Sequence, residues 1–270
     1  MIIAYYVLFF IAGAAIGSFL NVIIDRLPDN QSLIKPPSHC SACNTRLSAK
    51  DLIPIASYIW LRGKCRYCGT HIPLRILLVE LITGLLFVLV FWKVGIAPQL
   101  PVLIIYSCVF VVITVIDLEK GVIPNRITYP FIVIAILVTT FLGSGINNDV
   151  FLIDYFGWRQ NLPFLANLFD SLIGGVLAFV FLLLIAIVSR GGMGLGDVKL
   201  AAMIGFMTAF PVVILALFMG IISGGIVAAV LLITRRKQRK DTVPFGPFLC
   251  LGALLALLWG SNILNWYLGY

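Results

Sequence analysis

Long apolar runs decide most of what this chain can become. Seven of them, at 2–24, 74–92, 100–116, 126–143, 168–189, 211–234 and 244–268, approach or exceed the ~20 residues that carry a helix across a bilayer. A lipid-facing β-barrel would show shorter segments of alternating hydropathy instead. The first run, MIIAYYVLFFIAGAAIGSFLNVII, lacks the basic start and polar cleavage region of a signal peptide and reads as a retained span. Only 11% of the 270 residues are charged and 61% are hydrophobic, far from the balance of a soluble domain. The expected fold is an all-α polytopic membrane protein. An eighth apolar run at 198–210 is short enough to be re-entrant.

Basic residues orient the spans. Segment 25–75 holds eight Lys or Arg, 117–126 adds Lys120 and Arg126, 190–199 adds Arg190 and Lys199, and RRKQRKD at 235–241 adds five. If 198–210 crosses fully, all four stretches share one face with 17 of the 19 basic residues, leaving Lys93 and Arg159 opposite. The positive-inside rule then places these stretches in the cytosol and both termini outside, which makes about eight transmembrane helices. A net charge of +8 is thereby explained by orientation and by anionic lipid headgroups. Nucleic acid is not an expected partner, because no aromatic platform is interleaved with the charges. Segment 144–167 reads as interfacial on the outer face. The glycine pairs at 174–175 and 224–225 suit close helix approach.

Between the first two spans, residues 38–70 carry C-x2-C twice, at Cys40 and Cys43 and at Cys65 and Cys68, with 21 residues between the pairs. Four thiolates at this spacing enclose a zinc ion tetrahedrally, as in a zinc ribbon. The insert has few apolar residues, so a metal staple compensates for a small core. A closed set of four sulfurs leaves no open coordination position, which makes the metal structural. Two disulfides are the alternative, and a reducing cytosol disfavours them. His39 and His71 flank the knuckles as surface or supporting residues, and Cys108 and Cys250 lie within apolar spans as core.

Few acids lie close to a span. Asp117 ends the third in VVITVIDLEKGVIPNRI, and Asp197 follows the glycines of GGMGLGDVKL. Both fall at the cytosolic end of their segments, at one membrane depth. Glu119 is two residues from Asp117 and off its helical face. Two carboxylates brought together resist double ionisation, so one activates water while the other donates to a leaving group. That arrangement suits peptide hydrolysis without a covalent intermediate. No G-x-S-x-G or H-E-x-x-H is present, and both histidines belong to the cysteine insert. The same acids also suit a transporter's carboxylate relay, although no repeat of the transporter kind is visible. An assembly role for the insert, with the acids structural, is a third reading.

Six motifs in order extend these readings. They are SFLNVIIDRLP at 18–28, the two cysteine knuckles, PLRILLVEL at 73–81, DLEKGVIP at 117–124, GLGDVKL at 194–200 and PFGPFL at 244–249. In this order the chain closely resembles the bacterial prepilin leader peptidases, which are GxGD-type aspartyl proteases. The resemblance implies an inner-membrane enzyme that cleaves type IV prepilins or type II secretion pseudopilins after a glycine. Such substrates have a basic leader and a hydrophobic N-terminal helix. It further implies N-methylation of the new terminus with S-adenosylmethionine, or a peptidase that has lost that activity. By motif matching, Asp117 and Asp197 are the catalytic pair, Glu119, Lys199, Gly194 and Gly196 support them, and the four cysteines bind zinc. The glycines of 191–196 let the chain bend close to an extended substrate. Glu80, an acid within a span, is a candidate for the methyl-transfer chemistry, and no nucleotide-type glycine loop marks a donor pocket. Asp25 departs from the family pattern and is expected to pair with Arg26 or nearby basic residues. The expected organisation is a first span at 1–24, a cytosolic four-cysteine insert at 25–73, and a helical domain at 74–270 carrying the protease site.

Overall fold

A computed structural model describes residues 2–143, 163–189, 193–234 and 243–268. Among these residues the fold is helical: α1 (Ile2–Arg26), α2 (Ala56–Trp60), α3 (Leu74–Val94), α4 (Leu100–Lys120), α5 (Asn125–Leu142), α6 (Pro163–Val188), α7 (Leu195–Thr208), α8 (Val212–Ile233) and α9 (Gly246–Leu268). Seven of these helices are long and apolar enough to cross a membrane, all but α2 and α7. The chain is a multi-pass membrane protein. Segments 144–162, 190–192 and 235–242 lie outside the described residues. They hold most of the interfacial segment, the first glycines of the GGMGLGD stretch and the RRKQRK run. Residues 163–167, taken with the interfacial segment, form the first turn of α6.

The helix ends follow local chemistry. Pro73, Pro124 and Pro211 precede α3, α5 and α8, where a missing N–H costs nothing. Helix α4 continues past its apolar run to Lys120 and stops at Gly121, whose φ of 64° only glycine adopts freely. Gly121 N–H returns to Asp117 O at 2.9 Å and closes the last turn.

Contacts divide the chain into two compact units, residues 1–112 and 113–270. In the first, α1 and α3 pack so closely that a Cβ on Gly13 or Gly17 would meet α3 backbone at 2.9 and 2.8 Å. Three polar links stitch the same pair: Asn21 donates to Ile76 O at 3.2 Å, Arg75 pairs with Asp25 at 2.6 Å, and the Ser18 hydroxyl bonds Glu80. Asp25 thus pairs with Arg75, while Arg26 donates to Ser32 O at 3.0 Å.

In the second unit, α7 is the centre, with α5, α6, α8 and α9 around it. At 14 residues it spans only ~21 Å, and it is buried from Leu200 to Gly205 without a break. A helix apolar on all sides needs such surroundings. Gly174 and Gly205 bring α6 and α7 backbones into contact, and Gly175 receives the Phe206 ring. Thr139 of α5 and Ser171 of α6 both donate to Phe206 O at 3.0 Å. Of the second glycine pair, Gly224 faces Phe245 and Phe248, and Gly225 faces open space.

Candidate active site

Two helix N-termini and one helix C-terminus converge in the second unit. Asp117 sits in the last turn of α4, 5% exposed. Its Oδ2 accepts from Gly246 N–H at 3.0 Å, at the first residue of α9. The first amides of a helix have no partner of their own, and the positive end of the helix dipole favours an anion. Asp117 therefore satisfies an orphan donor that arrives from 129 residues away. A Cβ on Gly246 would stand 2.6 Å from the same oxygen, so any side chain here would push the carboxylate aside.

Asp197 occupies the first turn of α7, behind Gly194 as the N-cap. Its own N–H bonds Gly194 O at 3.1 Å, and its Oδ2 points back over Gly194. Gly196 packs on Ile123, the loop residue between α4 and α5, with an added Cβ only 3.3 Å from the Ile123 side chain. This contact fastens the start of α7 to the loop that follows Asp117. Gly194 has φ of −74°, and a Cβ there would stand at ordinary contact distance, 3.5 Å, from Asp197 Oδ2, so nothing in the structure explains a glycine there. The two carboxylates act on one another electrostatically, and both act on the buried Cys250 thiol of α9, which is bonded to Thr114. Asp117 thus bonds Gly246, and its charge is felt by Asp197 and Cys250.

Among the supporting candidates, Glu119 is exposed, off the face of Asp117, as helical geometry requires. Lys199 donates to Asn125 Oδ1 at 3.3 Å and lies 5.4 Å from the Tyr129 ring centre. It braces α7 on α5. Gly246 and Cys250 were not singled out as site residues from the sequence. The available signal was a glycine flanked by aromatic and proline at a helix start, in PFGPFL. Their meeting with Asp117 is set by packing of α4 and α9, which no local pattern encodes.

The second candidate centre lies in the insert. Sγ atoms of Cys40, Cys43, Cys65 and Cys68 all fall within 4.8 Å of one another, and all four cysteines are unbonded. Cys40 and Cys68 Sγ are 3.8 Å apart. A tetrahedron with Zn–S of ~2.3 Å has edges of ~3.8 Å, so the sulfurs fit a metal ion. Both knuckles fold alike. Cys40 N–H bonds Thr45 O and Asn44 N–H bonds Cys40 O, and Cys65 pairs with Thr70 and Gly69 in the same way. Asn44 and Gly69 take the positive φ that the turn needs, at 55° and 72°. The Thr70 hydroxyl holds the Cys68 thiol down to about 6, and the Thr45 hydroxyl lowers Cys43 likewise. Both shifts favour the thiolate, the form that ligates. His39 and His71 stand outside the cluster and pair their backbones with Arg46 and Lys64. Asp51, unnoticed in the sequence, ties the insert together. It accepts from Ser48 Oγ and N, from Arg66 Nε and from Tyr67 OH, at 2.7, 3.0, 2.7 and 3.1 Å.

Glu80 is engaged elsewhere. Its Oε2 accepts from Ile55 N–H at 2.7 Å, and the Ser18 hydroxyl is its other partner.

Comparison with known proteins matches these two regions separately. A model described as the Bacterial Peptidase A24 N-terminal domain matches residues 11–94, and that of the Type IV leader peptidase family matches 103–229. A prepilin leader peptidase/N-methyltransferase of Bacillus subtilis is 30% identical over 96% of both chains. Proteins of the same description from Aeromonas hydrophila and Aeromonas salmonicida are 31% and 30% identical, over 98% of this chain and 94% of theirs. No solved structure matches.

Proposed function

The chain belongs to the type IV leader peptidase family, and from that premise we propose that Asp117 and Asp197 are its catalytic carboxylates. The protein is a membrane endopeptidase that removes the leader of prepilins and N-methylates the product. The observation that supports the assignment is the placement of two acids on helix ends of one unit, with Asp117 held by the Gly246 amide and its charge reaching Asp197. One proton is shared by the pair. The ionised carboxylate takes a proton from water as it attacks the scissile carbonyl. The protonated one hydrogen-bonds that carbonyl oxygen and afterwards delivers its proton to the leaving amine. Gly246 N–H holds Asp117 in place throughout, which leaves one oxygen of Asp117 for the reaction. A glycine before the cut suits a close approach of the extended substrate backbone to the pair.

The substrates proposed are prepilins or pseudopilins with a basic leader in the cytosol and a hydrophobic helix in the membrane. The protein lies in the bacterial cytoplasmic membrane with both termini outside and the two aspartates near the cytosolic face. Distribution of basic residues supports this orientation. The metal of the four cysteines is zinc, and its part is structural. For N-methylation the methyl donor is S-adenosylmethionine, used in the N-terminal region. We retain the organisation of a first span at 1–24, an insert at 25–73 and a protease-bearing helical domain at 74–270.

N-terminal sequencing of a model prepilin tests the pair. Asp117→Asn and Asp197→Asn each abolish cleavage while metal content stays at the wild-type level. The double variant is no worse than either alone, because the two act as a unit. Near-normal cleavage by either single variant would falsify the assignment.

A further inference from the structure

The insert contains a turn that does not behave like part of a water-exposed loop. Ile55 has φ of 62° and ψ of −52°, and Ala56 N–H closes on Pro54 O at 2.5 Å. This is a γ-turn of the strained, positive-φ kind, built on a β-branched residue. Its backbone donors are all accounted for within the protein. Pro54 has none, Ile55 N–H goes to Glu80, Ala56 N–H to Pro54 O, and Ser57 N–H to Ile53 O at 3.0 Å. Complete internal satisfaction is what a segment needs where water is scarce.

Position along α3 says where that is. Arg75 pairs with Asp25 at the ends of α3 and α1, and such a charged pair marks the headgroup level. Glu80 is five residues further into α3, roughly 7 Å deeper. Its second partner, Ser18, is seven residues inside Asp25 on α1, roughly 10 Å deeper. By both routes the Pro54–Ile55 turn lies at the boundary of headgroups and acyl chains. Its surroundings agree. Leu52 and Ile53 are exposed, and in α2 Ile59 and Trp60 are 63% and 77% exposed. Tyr58 of the same helix turns inward over Gly63 and donates to Ile72 O at 3.3 Å. Leu74 and Leu78 continue the exposed apolar surface on α3. Arg62 and Lys64, both exposed, follow directly.

We propose that Leu52–Trp60 is a membrane-interface anchor, with Ile53, Ile59 and Trp60 in the acyl boundary and Arg62 and Lys64 on anionic phospholipid headgroups. Glu80 then serves as the buried acceptor that lets the turn leave water. The insert is held to the bilayer by an element of its own as well as by the two spans that flank it, and its cysteine centre keeps a fixed height above the membrane. An amphipathic segment with aromatic and basic residues at this depth gains from both apolar burial and headgroup attraction.

The full-length protein in vesicles of phosphatidylglycerol and phosphatidylcholine tests this. The Trp60 signal is wild-type fluorescence minus that of Trp60→Phe. Bromine on acyl carbons six and seven is expected to quench that signal at least twofold, while aqueous iodide quenches it weakly. Arg62→Gln with Lys64→Gln raises iodide access in phosphatidylglycerol vesicles several-fold. Ile59→Trp in the Trp60→Phe background moves the reporter by one residue and gives the same pattern. A Trp60 signal open to iodide and untouched by bromolipid overturns the proposal. So does one that is open to iodide until a model prepilin is added, since the surface then belongs to the substrate's helix.

Discussion

Gly246 is the residue on which the geometry of Asp117 turns. It provides the N–H at 3.0 Å, and its missing side chain provides the space. Gly246→Ala pushes a methyl group against Oδ2 and shifts the carboxylate by a fraction of an ångström. A misplacement approaching 1 Å costs roughly 100-fold in rate. The expected outcome is a fall in kcat of about ten- to 100-fold with little change in KM, measured by single-turnover cleavage of a model prepilin. Asp117→Asn combined with Gly246→Ala should be no slower than Asp117→Asn alone. Asp197, by contrast, was legible from sequence, because an acid behind glycines at the edge of an apolar run is costly without a use. Cys250 was legible only as a core residue, since its nearness to both acids comes from packing. Its thiol is expected to tolerate Cys250→Ala with less than a fivefold loss, because it touches Thr114 rather than a water or a peptide.

Among the elements, the four-cysteine insert has two independent fastenings. Metal is one, and Cys65→Ser is expected to abolish its binding and open the insert to protease, since a structural site contributes folding energy directly. Asp51 is the other. Hydrogen bonds from Ser48 first, and from Arg66 and Tyr67, pull its carboxyl down from 3.8 to about 2. A depressed carboxyl stabilises the fold above its ordinary value and loses that effect as pH falls through the folded one. The protection that Asp51 gives over Asp51→Asn is therefore constant from pH 7 to about 4 and fades towards pH 2. Peptide mapping of pepsin-sensitive sites in both proteins would show it, and a difference that persists at pH 2 would contradict it. The knuckles themselves were visible in the sequence, because C-x2-C is a local pattern. Asp51 was not, because Arg66 and Tyr67, which join it to the second knuckle, lie 15 and 16 residues on. The long helices were legible to within a few residues from hydropathy alone, except for the start of α6 and the end of α4. Its last turn carries Asp117, Glu119 and Lys120, and charge hid it from an apolar reading.

At the scale of the whole molecule, seven long helices and the short α7 leave the direction of each crossing to charge. Under the proposed orientation, which gathers 17 of 19 basic residues on one face, a cysteine introduced at Asn148 should react with an impermeant thiol reagent from outside. One at Gln238 should react only after the membrane is opened. Equal labelling would break the orientation. This expectation was legible from composition, because the rule needs no contacts. The site's completeness was not, and it carries a temporal consequence. Asp117 is made early, but the amide that holds it belongs to the last described helix, α9. A nascent chain that has inserted α1 through α8 contains both acids and yet lacks the clamp on one of them. On the proposed role of Asp117, the enzyme stays unarmed until α9 docks.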